Sequence, residues 1–289
     1  MNRIVLIGNG FDLAHGLKTS YKDFIDWYLN EKEDTSGILY RSLIRYYDLY
    51  ITYMSKKQIE ECMKEFCTFL KNIRKRVGTT GWVDVEEEYY LLLLQLAFHN
   101  SNKSRKLNPM ILNIQMDHLK SMLIEYLKNE DRKGVKVVHS IKEKIFRPIK
   151  RREIVVENLN SFNSEDFSPD NIMLLIFNYT KTAHQYVSPE SINHIHGCLD
   201  NPESVIFGYG DELDSEFEKL KNLNDNECLR NVKSIRYLEA DKYRKMLEFI
   251  ESGPFQVFIM GHSCGNSDRT LLNTLFEHKN CISHQTVLL

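Results

Sequence analysis

Apolar residues open the chain in an unbroken run at residues 4–7 that stops at Gly8-Asn9-Gly10. A short run without alternation, closed by glycine, is the pattern of a strand buried on both faces that turns at its carboxyl end. The pattern returns late in the chain. Residues 172–177 end in Asn178-Tyr179-Thr180, residues 192–195 lead into His196-Gly197, residues 205–207 precede Gly208-Tyr209-Gly210, and residues 255–260 end at Gly261-His262-Ser263. Between the first strand and the rest, helical spacing dominates from Tyr21 to about residue 163. Ser20-Tyr21-Lys22-Asp23 has capping-box spacing, and Tyr21, Phe24, Ile25, Tyr28 and Leu29 recur at helical intervals, so a helix is predicted from about Tyr21. Further stripes run through Ile59, Met63, Phe66, Leu70 and Ile73, and through Ile111, Ile114, Leu119, Met122, Leu123 and Tyr126. Residues 211–252 return to helix. These elements make an α/β protein: a parallel sheet with a large helical insertion after its first strand.

Composition narrows this picture modestly. At 289 residues the chain is long enough for one large or two modest domains. A net charge of -2 supplies no basic field for nucleic acid. The short basic clusters at residues 71–76 and 142–152 read as solvated helix faces. Six cysteines without a C-x-x-C pair or a preceding signal-peptide pattern point to a reducing cytoplasm, without disulfides or a zinc ribbon. The most apolar interior run, residues 89–98, is too short to cross a bilayer and contains Gln95.

Every predicted strand ends in a polar or glycine-containing turn, which is how a parallel sheet gathers a site along one edge. The candidate residues there are Asn9, Asp12 and His15, Asn178, His194 and His196, and Ser263 and Asp268. The opening turn lacks the dinucleotide fingerprint, because Leu13 stands where its third glycine belongs. It also misses the phosphate loop, because five residues separate Gly10 from Gly16 and Leu17 intrudes before Lys18-Thr19. A tight turn without a ligand remains open beside these.

Four chemistries could use the constellation. Gly261-His262-Ser263-Cys264-Gly265 matches the nucleophile elbow of a serine hydrolase, although only Asp268 with His278 or His284 follows to complete a triad. His194-x-His196 with Asp12 and Asp268 could serve a metal-dependent phosphoesterase. Cleavage of a nucleotide's glycosidic bond needs a diphosphate and ribose pocket, a polar side chain and a neutral histidine base, roles that the glycine turn, Asn178 and His196 fit. A nucleotide sensor would bind at the same edge without turnover.

The motifs "IGNGFDLAHGLKTSYKDF", "WVDVEEEY", "FNYT", "INHIHG", "IFGYGDE" and "GHSCGNSD" follow in one order through nearly the whole chain. In these the chain resembles the AbiH family, bacterial proteins of abortive infection by phage, which is itself remotely similar to sirtuin-type NAD-binding domains. The resemblance implies a Rossmann-like nucleotide-binding domain at residues 1–20 and 164–289 and a helical insertion at 21–163. It implies that Gly8, Asn9, Gly10, Asp12, His15 and Thr19 with Gly261, Ser263 and Asp268 bind NAD. Asn178 would lie near the nicotinamide ribose, and His196 would act as base. No counterpart of the sirtuin zinc module is present, so no metal is expected and acetyl-lysine binding does not carry over. Trp82, Asp84 and Glu86 recur as a W-x-D-x-E motif, for which helix capping or packing is preferred over an approach of Glu86 to the pocket. The close at "CISHQTVLL" is earlier than the family pattern suggests.

The resulting expectation is antiphage defence by NAD hydrolysis in the cytoplasm. The partners expected are a nucleotide ligand and a phage-derived trigger or second chain, with neither a membrane nor a clear nucleic-acid surface. A homo-oligomer is compatible with the sequence. A nucleotide sensor without turnover and a metal-dependent nuclease or phosphoesterase are the alternatives.

Overall fold

The computed structural model describes residues 1–33, 85–98, 109–154, 166–209, 215–239 and 241–289. Trp82, Asp84, the stripe from Ile59 to Ile73 and the cysteines Cys62 and Cys67 lie outside these residues. In chain order the strands are β1 (Asn2–Ile7), β2 (Ile149–Lys150), β3 (Asp166–Phe167), β4 (Ile172–Ile176), β5 (Ile192–His194), β6 (Phe255–Met260) and β7 (Cys281–Thr286). The helices are α1 (Asn9–Ala14), α2 (Tyr21–Glu33), α3 (Val85–Phe98), α4 (Pro109–Asp131), α5 (His139–Phe146), α6 (Ser215–Asn222), α7 (Asn226–Leu229), α8 (Lys233–Glu239), α9 (Asp241–Glu251) and α10 (Arg269–Phe276). They form two compact units. Met1–Lys18, Leu127–Ile206 and Ser234–Leu289 make the first, Thr19–Tyr126 and Phe207–Lys233 the second.

The first unit is built on a five-stranded parallel sheet of order β5-β4-β1-β6-β7. From the central β1 the chain winds outward through β4 and β5, then returns to the other side for β6 and β7. All six residues of β1 are buried, as an unalternating apolar run requires of a strand covered on both faces. Ile4 and Leu6 pack with Met246 and Ile250 of α9 and Leu271 and Leu275 of α10. Val5 and Ile7 face the other way, against Ile141 and Ile145 of α5 and Phe11 of α1.

Arg3 is the unexpected resident of this core, with none of its surface exposed. Its guanidinium spends its donors on Gln256 Oε1 and on the carbonyls of Ile145, at 2.8 Å, and Arg147, at 2.6 Å. The carbonyls at the end of a helix have no intrahelical partner, so Arg3 ties the end of α5 to the sheet. It also lies 4.0 Å from the ring centre of Phe258. Burial, then the neighbouring Arg147, lowers its pKa to about 10, which still leaves it charged at neutral pH.

Three sequence expectations change here. Residues 205–207 form no strand, because their backbone bonds singly, as in Ile206 N–H to the His196 carbonyl at 2.8 Å. The polar run CISHQT forms an edge strand, β7, whose weak apolar signal gave no warning. The helical stretch expected to reach residue 163 is broken after Phe146, where β2 follows and pairs with β3 in an antiparallel ribbon; residues 155–163 lie outside the described residues.

The second unit begins where the capping box placed it. Ser20 Oγ accepts from the Asp23 amide at 3.1 Å and donates to Asp23 Oδ2, so α2 starts at Tyr21. Phe24 and Tyr28 of α2 pack with Tyr126 and His118 of α4. Glu86, in the first turn of α3, is 5% exposed. Its carboxylate accepts from the Gly208 amide at 2.9 Å and from Lys233 Nζ at 2.8 Å, so it packs the returning segment 207–233 onto α3. Tyr90 stacks on Tyr209 with ring centres 4.2 Å apart. Among the described residues no helix is long and apolar enough to cross a membrane.

Removing one partner of a buried ion pair takes a counter-charge from the other. Glu86→Ala should therefore cost about 3–5 kcal/mol, while Glu86→Met combined with Lys233→Met should recover most of it. Chemical denaturation midpoints of the two variants against the parent check both halves.

Candidate functional site

The carboxyl ends of β1, β4, β5 and β6 share one edge of the parallel sheet, and their following residues meet there. Gly8 caps α1, which starts at Asn9, so the glycine loop expected at residues 8–10 is in fact a single capping residue. Helix and sheet approach each other through backbone alone. The Gly10 amide donates to the Gly261 carbonyl at 2.8 Å. A Cβ on Gly8 would lie 2.4 Å from His262 Cα, and one on Gly10 2.8 Å from Gly261 Cα. Gly261 itself has φ of +73°, and its Cβ would lie 2.3 Å from the Phe11 nitrogen. Packing between two chain turns therefore accounts for Gly8, Gly10 and Gly261.

Asn178 follows β4 and joins this junction from the other side. Its Nδ2 donates to the Gly8 carbonyl at 3.0 Å, and its own carbonyl accepts from His194 Nδ1 at 3.1 Å. Asp12, on α1, is 1% exposed, and its Oδ2 accepts from Thr180 Oγ1 at 2.7 Å. Its Oδ1 meets no donor in good hydrogen-bond geometry. Burial pushes the Asp12 carboxyl above the usual range, against the pull of Thr180, Thr182 and Asn178. The two threonines of "FNYTKT" were invisible as site residues in the sequence, since nothing in their spacing points back 168 residues to α1.

His196, Asp268 and Tyr237 form a second group at the same edge. His196 Nε2 lies 2.8 Å from Tyr237 Oη and 3.2 Å from Asp268 Oδ1. A carboxylate only accepts, so where Nε2 carries the proton that proton faces Asp268, and Nδ1 is then the basic nitrogen of the neutral ring. The Tyr237 ring stacks nearly parallel to the imidazole, 8° from coplanar orientation, and Phe177 meets it edge-on. His262 approaches the other carboxylate oxygen, with Nε2 3.6 Å from Asp268 Oδ2. Since Cys264 N–H donates to His262 Nδ1 at 2.9 Å, the His262 proton is on Nε2, facing Asp268. Thus one carboxylate serves two imidazoles.

The remaining sequence candidates separate. His15 closes α1: with Phe11 O at 2.7 Å from Nδ1 and Tyr186 Oη at 2.6 Å from Nε2, both ring nitrogens are occupied. Thr19 opens the second unit. Asn9 lies in the first turn of α1. Ser263 is exposed in the turn after β6, but the residue in the left-handed region is Cys264, with φ of +54°. Asp268 faces His196 and His262, whereas His278 meets Glu251 at 3.1 Å, so the triad expected of a serine hydrolase does not assemble. The two histidines of His194-x-His196 also diverge, one toward Asn178, the other toward Asp268. Among the described residues no group of three or more His, Cys, Asp and Glu could hold a metal ion. Sequence reading missed Tyr237, His262 and His184; the glycine beside His262 and the aromatic lead of Tyr237 carried no such signal.

Residues 4–289 match the family model described as Bacteriophage abortive infection AbiH. No curated protein and no solved structure matches the chain.

Two outcomes follow from this geometry. Gly8→Ala should lower the thermal midpoint by the equivalent of about 1–3 kcal/mol, because backbone cannot move aside as a side chain would. Gly265→Ala, whose Cβ would meet only Ser263 Oγ at 3.5 Å, should leave it nearly unchanged. The second outcome concerns pH. A carboxyl raised above its unfolded value of 3.8 contributes stability that is full below that value and lost as pH rises through the folded value. Asp12→Asn should therefore gain stability relative to the parent across that rise, read from denaturation midpoints at stepped pH.

Proposed function

The chain belongs to the AbiH family of bacteriophage abortive infection proteins, and on that premise we propose that its parallel-sheet unit binds and hydrolyses NAD at the nicotinamide glycosidic bond. The unit is read as Rossmann-like: strand order reverses beside β1, and ligands of open parallel sheets bind beyond the carboxyl ends at such a reversal. The observation that carries the reading is the His196–Asp268 contact of 3.2 Å at that edge. A histidine oriented by a carboxylate is a general base near neutral pH.

In this mechanism Nδ1 of His196 takes a proton from water as the water oxygen bonds the anomeric carbon of the nicotinamide ribose. The glycosidic C–N bond breaks, and nicotinamide leaves with the bonding electron pair, neutralising its ring nitrogen. Asp268 stabilises the imidazolium that forms, as a buried carboxylate does for a catalytic histidine. Asn178, bound to the Gly8 carbonyl, holds the turn where the diphosphate and ribose would lie. Gly8, Asn9, Gly10, Gly261 and Ser263 shape that turn. Buried Asp12, held by Thr180, supports that turn from within α1.

One observation favours binding without turnover as the second reading. His196 Nε2 already has two partners and the Asn178 amide is engaged, so these two groups are held by the protein itself. The test is nicotinamide release from NAD by the purified chain, together with NAD levels in cells during infection. Release should fall by about a hundredfold or more in His196→Ala and in Asp268→Asn, the span of general-base catalysis, and be indifferent to chelator. Binding of NAD with no loss of NAD in either setting would establish the sensor instead. Release that disappears with chelator would overturn the mechanism.

A further inference from the structure

His184 and His194 stand apart from the His196 group, at the β4–β5 side of the sheet. His184 belongs to the short helical turn Thr182–Gln185 after β4, and His194 ends β5, opposite Ile176 in the parallel register. Their Nε2 atoms point at each other across 2.7 Å. His194 Nδ1 faces the Asn178 carbonyl at 3.1 Å, and a carbonyl only accepts, so Nδ1 carries the proton and Nε2 the lone pair. In the present arrangement His184 Nε2–H must then donate to His194.

We propose that His184 and His194 are the protein ligands of a site for a zinc-like divalent cation, with water completing the coordination.

Two imidazoles converging through Nε2, one of them donating its other N–H to a backbone carbonyl, is the arrangement of histidine metal ligands and their outer-shell partner. Zinc–nitrogen distances of about 2.0–2.1 Å set two tetrahedral ligand nitrogens about 3.4 Å apart. The Nε2 atoms therefore need to part by about 0.7 Å while the rings turn toward one ion, and His184 is only half-buried. Binding exchanges a shared proton for the ion: the His184 proton moves from Nε2 to Nδ1, and no proton is lost. Both rings are held neutral, which suits ligation. Burial and His184 lower the pKa of His194 to about 4, and burial and Lys181 lower that of His184. The surrounding charges balance. Lys181 and Lys242 oppose a cation, Asp200 and Asp131 favour it, and Lys181 is already paired with Asp200 at 2.8 Å. Since the Asn178 carbonyl orients His194 while its amide holds Gly8, the site is mechanically joined to the edge at β1.

Calorimetric titration of the full chain with zinc sulfate alone, at neutral pH, tests this. The parent should show binding that weakens by roughly tenfold or more in His184→Gln and in His194→Gln, at least the loss seen when an outer-shell partner is removed. Cobalt(II) added in place of zinc should develop a visible ligand-field band that both variants lose. His184→Gln, altered at a half-buried position, is the arm least exposed to misfolding, and a thermal midpoint equal to the parent's certifies it. A parent that takes up no zinc, or a folded His184→Gln that binds zinc and cobalt as the parent does, overturns the proposal. NAD enters neither measurement, so this outcome and that of the hydrolase assay are independent.

Discussion

Backbone contact between the start of α1 and the turn after β6 is the constraint on which the edge of the sheet depends. With Gly8, Gly10 and Gly261 in place, the Gly10 amide reaches the Gly261 carbonyl, and any Cβ would force the two turns apart. That closeness brings Asp12 and His262 to the same edge from opposite sides of the central strand pair. Asn178 then closes the group from β4 by donating to the Gly8 carbonyl. Glycine at these positions is consequently as much a packing requirement as a means of ligand approach. Phosphate-loop and fingerprint patterns share the chemistry of glycine turns but impose different spacing, which is why neither fits here.

Most buried polar groups of the sheet unit discussed above sit in satisfied sets, and Asp12 is an exception at the carboxyl edge. Arg3 illustrates the first kind: a fully buried cation whose donors meet a glutamine oxygen and two carbonyls at the end of α5. Such bonds to a charged group contribute more than neutral ones and offset part of its desolvation. Asp12 illustrates the second, with one carboxylate oxygen lacking a well-placed donor and its pKa raised by burial. His196, Asp268 and His262 fall between them, a carboxylate shared by two imidazoles. Asp12, His196, Asp268 and His262 thus bring titratable groups to one edge of the sheet.

Glu86 packs one chain segment onto another. Its carboxylate pairs with Lys233 and the Gly208 amide, both supplied by the segment 207–233 that returns to α3. Ion pairing in that setting fixes which chain segment lies on which helix, since a hydrophobic contact alone would tolerate a slip that an unpaired buried charge would not.

Local pattern in the sequence determined the elements whose burial is uniform. An unalternating apolar run can only be covered on both faces, so β1, β4 and β6 were legible, as was the start of α2 from its capping box. It also determined that polar residues would follow those strands. Tertiary structure alone decided which of them meet. His196 and Asp268 are joined by folding across 71 intervening positions, and no periodicity connects Tyr237 or His262 to them. Strand β7 was hidden for a related reason: an edge strand is half solvated, and its polar residues are chosen by neighbours in space. Contacts set by spacing within an element are written locally, whereas contacts between elements depend on a sheet order that no short stretch of chain contains.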